Sequence, residues 1–205
     1  MSLASCGAPA SAPDEGNAQG PAAQARTIPA APTTAFPDPP AEPAASGAPV
    51  LTPDGLGPLR IGMTLAEVTA ASGPDADPQA VGGPDPEQCD QFHPARAPQG
   101  VLAMMENGRL TRISLMGDSP VRTDRGVGAG STATAVEAAY RRAAVASPHK
   151  YRDAPARYLT HWSRKAQPDQ TSPTDRGIVF EVDEQGVVDL VHAGSPSIQY
   201  VEGCL

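Results

Sequence analysis

The chain has 205 residues and a net charge of −8, which argues against a general nucleic-acid binder, since those are normally basic. No stretch approaches the roughly 18 consecutive apolar residues of a membrane-spanning helix. With 24 prolines and 20 glycines but only eight aromatic residues (3 Phe, 1 Trp, 4 Tyr), the composition is that of a small core with long unstructured parts.

The first quarter is not domain material. Gly7 to Pro53 holds 14 Ala and 11 Pro in 47 residues, with Ile28, Phe36, Val50 and Leu51 as its large apolar groups. So little apolar surface does not offset ordering entropy, and residues 1–53 are expected to form a disordered Ala/Pro-rich linker. In polyproline II, at about 3.1 Å per residue, its upper reach is roughly 145 Å. Near its start, Leu3-Ala4-Ser5-Cys6-Gly7 resembles the lipobox of bacterial lipoproteins, in which the Cys is acylated and becomes the mature N-terminus. That resemblance implies lipidation at Cys6 and a tether on the periplasmic face of the outer membrane, with no other membrane contact. Only five residues precede Cys6, so either the start codon lies upstream of Met1, with a signal peptide between, or the match is chance. Two cysteines then remain, Cys89 and Cys204. An oxidising envelope would pair them, the alternative being one buried and one terminal thiol.

Beyond the linker the chain nearly repeats itself. Leu56 to Val68 reads as a tight entry, a helix cap and an amphipathic start, and Gly126 to Val136 repeats it 68 positions later, with Gly62 over Gly130 and Thr64 over Thr132. Thr64-Leu65-Ala66-Glu67 has the form of a capping box, and Gly73-Pro74 ends that helix. Residues 73–100 are expected to be loop around a short strand, Cys89 to Phe92. Val101 to Glu106 and Leu110 to Leu115 flank Asn107-Gly108, a strong hairpin signal. In the second copy Ser131 or Thr132 caps a helix with a stripe of Val136, Ala139, Tyr140 and Ala143, ended by Ser147-Pro148. Tyr158 to Trp162, Ile178 to Asp183 and Val187 to His192 are expected as strands, with Ile178, Phe180 and Val182 on one face and Val179, Glu181 and Asp183 on the other. Ser197 to Glu202 would add an edge strand.

The expected class is therefore α+β: two tandem units, 54–123 and 124–205, each a short helix packed on an antiparallel sheet. Such units resemble the β-lactamase-inhibitor-protein fold and the SmpA/OmlA lipoprotein domain, and Gly62-Met63-Thr64-Leu65-Ala66-Glu67-Val68 is similar to the way those units open. Pro148-His149-Lys150-Tyr151, Tyr158-Leu159 and Tyr200-Val201-Glu202-Gly203-Cys204 resemble a group of uncharacterised proteobacterial envelope lipoproteins. The resemblance covers residues 54–205. It implies architecture more than task, because such folds carry different functions.

No catalytic constellation is legible. His93, His149, His161 and His192 lack the spacing that sets two metal ligands on one helix face, and are expected at the surface or at strand edges. Gly128-Ala129-Gly130-Ser131 reads as a turn into a cap, not as a nucleophile elbow or a phosphate loop. No enzyme activity, metal or cofactor is expected. From Arg141 to Lys165, however, seven Lys or Arg face a single acid, Asp153. Arg141, Arg142, His149, Lys150, Tyr151, Arg152 and Arg157 form a candidate contact surface for an envelope protein or an anionic glycolipid or polymer. The other reading pairs Arg157 to Lys165 across the sheet with the acidic run Glu181 to Asp189. Trp162 is expected in the core and Tyr151 at the surface. The functional expectation is a tethered, non-enzymatic binding domain, with an inhibitor of a secreted or periplasmic enzyme as the alternative.

Overall fold

The computed structural model describes residues 47–141, 143–164 and 172–204. In chain order the elements are β1 (Val50–Thr52), β2 (Gly55–Leu56), β3 (Leu59–Arg60), α1 (Leu65–Ser72), β4 (Cys89–Phe92), β5 (Val101–Glu106), β6 (Arg109–Met116) and β7 (Arg122–Thr123). There follow α2 (Ala133–Tyr140), β8 (Ala144–Pro148), β9 (Arg157–Trp162), β10 (Gly177–Val182), β11 (Val188–Gly194) and a 3-10 helix, Pro196–Gln199. The protein is α+β. A seven-stranded antiparallel sheet runs β4-β5-β6-β11-β10-β9-β8, and a four-stranded sheet runs β3-β2-β1-β7. β1 lies inside the stretch read as linker. Its Leu51 is fully buried and pairs in parallel with Thr123, so residues 50–52 belong to the folded part.

Both helices begin where the caps predict. The Thr64 hydroxyl accepts from the Glu67 N–H while the Glu67 carboxylate accepts the Thr64 N–H, closing the capping box. Thr132 accepts from the Ala135 N–H, and Ala135 stands where the first copy has Glu67. Eight residues are too few for an independent helix, so each depends on what it packs against. Val68 of α1 and Val136 and Tyr140 of α2 lie in one core with Leu110, Ile113, Leu115, Phe180 and Val191. The entry to each helix is pinned to the sheet alike. Gly62 N–H donates to the Leu110 carbonyl and Leu110 N–H to that of Met63; Gly130 and Val188 do the same, with Ser131 in place of Met63. Gly62 and Gly130 hold φ of +99° and +81° there, a conformation that strains residues bearing a Cβ.

Three local expectations fail, each for a tertiary reason. Helix α2 stops at Tyr140, with Arg141 in the left-handed region, and Ser147-Pro148 belongs to edge strand β8, where β9 supplies the backbone partners. Pro is tolerated on such an edge. Ser197 to Glu202 forms no strand but starts within a 3-10 helix that crosses the sheet face. Trp162 is only half-buried. Leu159 faces the helices, so strand alternation turns Tyr158, Thr160 and Trp162 to the opposite face, and Tyr140 fills the core instead, edge-on to Phe180.

Strand β10 shows a further departure. Its alternation predicted one wet face, yet all six residues are buried. The side facing the helices carries Ile178, Phe180 and Val182. The other side is covered by the 3-10 helix, whose Ile198 is 1% exposed. A Cβ at Gly177 would lie 2.7 Å from the Trp162 ring and 2.9 Å from the Ile198 methyl, so this close cover requires glycine. The cover is fastened at its end by the Cys89–Cys204 pair, which stands at disulfide distance with Cα atoms 5.4 Å apart.

Candidate functional site

The face of the larger sheet away from α1 and α2 carries a row of polar side chains from adjacent strands. Ser114 on β6, His192 on β11 and Glu181 on β10 meet as neighbours. The Ser114 Oγ lies 2.8 Å from His192 Nδ1, and His192 Nε2 lies 3.0 Å from Glu181 Oε1. A second histidine reaches Glu181 from the β8–β9 connection, with His149 Nε2 3.3 Å from Oε2. His149 Nδ1 accepts the backbone N–H groups of Tyr151 and Arg152, so its ring proton sits on Nε2 and points at the carboxylate. Its ring also stacks on Tyr158, centroids 4.7 Å apart. Glu181 is thus an acid held between two imidazole N–H donors.

Two residues before Ser114 on β6, Arg112 is 3% exposed. Its guanidinium donates to the carbonyls of Ser197 and Tyr200 and to the Gln91 side chain, tying the cover to the sheet. Burial pushes Arg112 down to about 10, with Glu181 and Glu106 pulling the other way. Glu106 in turn accepts from the Ser197 hydroxyl.

Between the cover and the sheet lies a cleft of about 180 Å³. Val179 and Glu181 form its floor, Ser147, Tyr158 and Thr160 one wall, and Ile198, Gln199 and Tyr200 the other side. Ser114 does not line it and is 2% exposed, so the Ser-His-Glu row does not present its hydroxyl to the cleft.

Burial raises the Glu181 carboxyl, but the His192 and His149 bonds outweigh it and hold it below the ordinary value; burial lowers His192. Both shifts act the same way on stability. As pH falls below about 6.5, an unfolded chain takes up a proton at His192 that the folded one resists, and nearer pH 4 Glu181 adds to the loss. The urea midpoint should therefore be highest at neutral pH and decline steadily below about pH 6.5. His192→Gln should flatten the upper part of that decline. An unchanged midpoint between pH 7 and 5 would contradict this account.

The candidate contact residues do not form one patch. Arg141 caps α2 and is exposed, and Arg157 pairs with Glu137 of the same helix, on the helical side of the sheet. The β8–β9 connection instead folds over the opposite face, where Lys150 pairs with Glu202 and Arg152 with Asp189. The acidic run is engaged, but by His149 and Arg152 of the connection, while Arg157 stands opposite Val182. Tyr151 is exposed. Arg142, Lys165 and Cys6 lie outside the described residues.

His192 sits buried in a central strand, contrary to the surface or edge position expected of it. Sequence reasoning passed over the Glu181 cluster because its parts come from three strands and a connection. A lone acid inside the apolar run Ile178 to Val182 was the available signal. Among the described residues no helix is long and apolar enough to cross a membrane. No protein-family model matches the chain, and neither a curated protein nor a solved structure matches it.

Proposed function

We propose that the protein is a tethered, non-enzymatic binding module of the bacterial cell envelope that docks a protein partner on the face of its larger sheet away from α1 and α2. The observation that carries this is the placement of its exposed apolar side chains. Among the described residues the large exposed ones are Leu65, Met116, Val145, Tyr151 and Tyr200, and all but Leu65 belong to that face or its rim. Tyr151 and Tyr200 are 58% and 48% exposed, in a protein with few aromatic residues. Tyr is a frequent interface anchor, combining large area with little entropy to lose. A protein is preferred to an anionic polymer because Lys150, Arg152 and Arg157 are each paired with an acid, which weakens the field of the basic segment.

The lipid anchor at Cys6 and the outer-membrane location belong to the same proposal, supported by the lipobox-like sequence, the Ala/Pro-rich stretch after it and the Cys89–Cys204 pair. So does the origin of the domain as two tandem units, 54–123 and 124–205, for which the matching pins at Gly62 and Gly130 are the support. The inhibitor of a secreted enzyme stays as the second reading, because Tyr151 projects from the β8–β9 connection as an inserted loop would.

Cross-linking from envelope extract tests the contact surface. A partner held by wild type should be lost from a Tyr151→Ala/Tyr200→Ala variant, each truncation weakening binding about 30-fold if it is an anchor worth ~2 kcal/mol. Leu65→Ala, on the helical side, should retain it. Equal capture by both variants would refute this surface, and a stoichiometric hydrolase as the captured species would favour the inhibitor.

A further inference from the structure

We propose that the cleft above Glu181 is a binding site for an alkylammonium group. Among the described residues Glu181 is the one charged side chain lining it, and at 5% exposure it is buried among the strands. Each carboxylate oxygen accepts one histidine N–H, leaving a lone pair on each for a further donor. The histidines do not cancel its charge. His149 Nδ1 accepts two backbone N–H groups, so that ring meets Glu181 through its single N–H, and burial disfavours the charged form of His192.

The nearby cations are directed elsewhere: Arg112 to two carbonyls and Gln91, Lys150 to Glu202, Arg152 to Asp189. The floor of the cleft is therefore a net anion without a fixed counter-charge in its lining. An ammonium carries three donors and no acceptor. The carboxylate and the hydroxyls of Ser147 and Thr160 supply acceptors for them, and Val179 and Ile198 offer apolar surface to the alkyl stem. Size agrees: a cavity near 150 Å³ accepts a six-carbon ring, so about 180 Å³ suits a group of five or six heavy atoms. A carboxylate or phosphate would meet Glu181 head-on, and a neutral alcohol would leave its charge unanswered. The ammonium can come from a free amine or from a lysyl side chain of a docked protein. The site goes beyond the docking face, because that face can hold a partner with the cleft empty.

NMR titration of the full chain, disulfide intact, at pH 7 and low salt tests this with n-butylammonium, n-butanol and Nα-acetyl-lysine N-methylamide. The two amines should cause saturable shifts at the amides of Thr160, Glu181 and Ile198, with n-butanol at least tenfold weaker. Glu181→Gln should weaken both amines at least tenfold. Ser147→Leu, on the exposed edge strand and outside the histidine network, should block the cleft and do the same even if the Glu181 variant fails to fold. Tighter binding of the lysine derivative supports the site with a docked protein as the source, and tighter n-butylammonium supports it with a free amine. Equal binding of n-butanol, or unchanged binding in Ser147→Leu, would overturn the proposal while leaving the docking face to its own test.

Discussion

Replacing Arg112 with alanine should lower the unfolding free energy by about 3–5 kcal/mol, since hydrogen bonds from a charged donor contribute about 1.5–3 kcal/mol each and more than one is lost. The guanidinium is buried, and it satisfies the carbonyls of Ser197 and Tyr200 and the Gln91 side chain. Truncation would leave three acceptors without their donor and would free the 3-10 helix from the sheet. Arg112→Lys should recover only part of the loss, because an ammonium on a flexible stem does not span three separated acceptors as the planar guanidinium does. Arg96, an exposed side chain that bonds the Ala70 carbonyl, provides the control, and its alanine variant should change little. Urea denaturation at pH 7 reads all three. An Arg112→Ala protein within 1 kcal/mol of wild type would mean that the buried network contributes nothing measurable.

Breaking the Cys89–Cys204 bridge should have a comparable effect. The two residues are 115 positions apart, and in the chain-entropy model a loop of about 100 residues contributes about 4.7 kcal/mol, with measured losses for small secreted domains of 2–5. The bridge joins β4, at one edge of the sheet, to the end of the segment that covers β10, so its loss acts on the unfolded chain and loosens the cover together. Intact mass of protein exported to the periplasm should show neither sulfur alkylated without reductant. The double Cys→Ser variant should unfold at clearly lower urea. Because Arg112 and the bridge fasten the same segment, the losses should combine non-additively in a double-mutant cycle. Strictly additive losses would show that the cover is held at two independent points, and free alkylation of both sulfurs in folded protein would show that the bridge does not form.

Much of the local structure was legible in the chain. The Thr64 and Thr132 caps, the Asn107-Gly108 hairpin and the strands from Cys89, Val101, Tyr158 and Ile178 depend on hydrogen bonds and alternation within a few residues, so a short window contains their cause. His149 and Tyr151 were also picked out by sequence, though as members of one basic surface. Where the cause lies far along the chain, sequence was silent or misleading. Ser147-Pro148 looked like a helix stop because β9, its strand partner, is ten or so residues away. Trp162 looked like core because it is large, whereas the alternation fixed by Leu159 turns it to the other face. The largest gap is the Glu181 site. The period of β10 told which residues share a face, but not that a segment some 20 residues later would cover the second one. That cover, held by Arg112 and the Cys89–Cys204 pair, makes Glu181 the buried floor of a cleft, and β11 and the β8–β9 connection bring His192 and His149 to its two oxygens. Composition, caps, turns and strand periods came from the chain itself. Burial of charge is a property of what packs against it, and only the tertiary structure decided that.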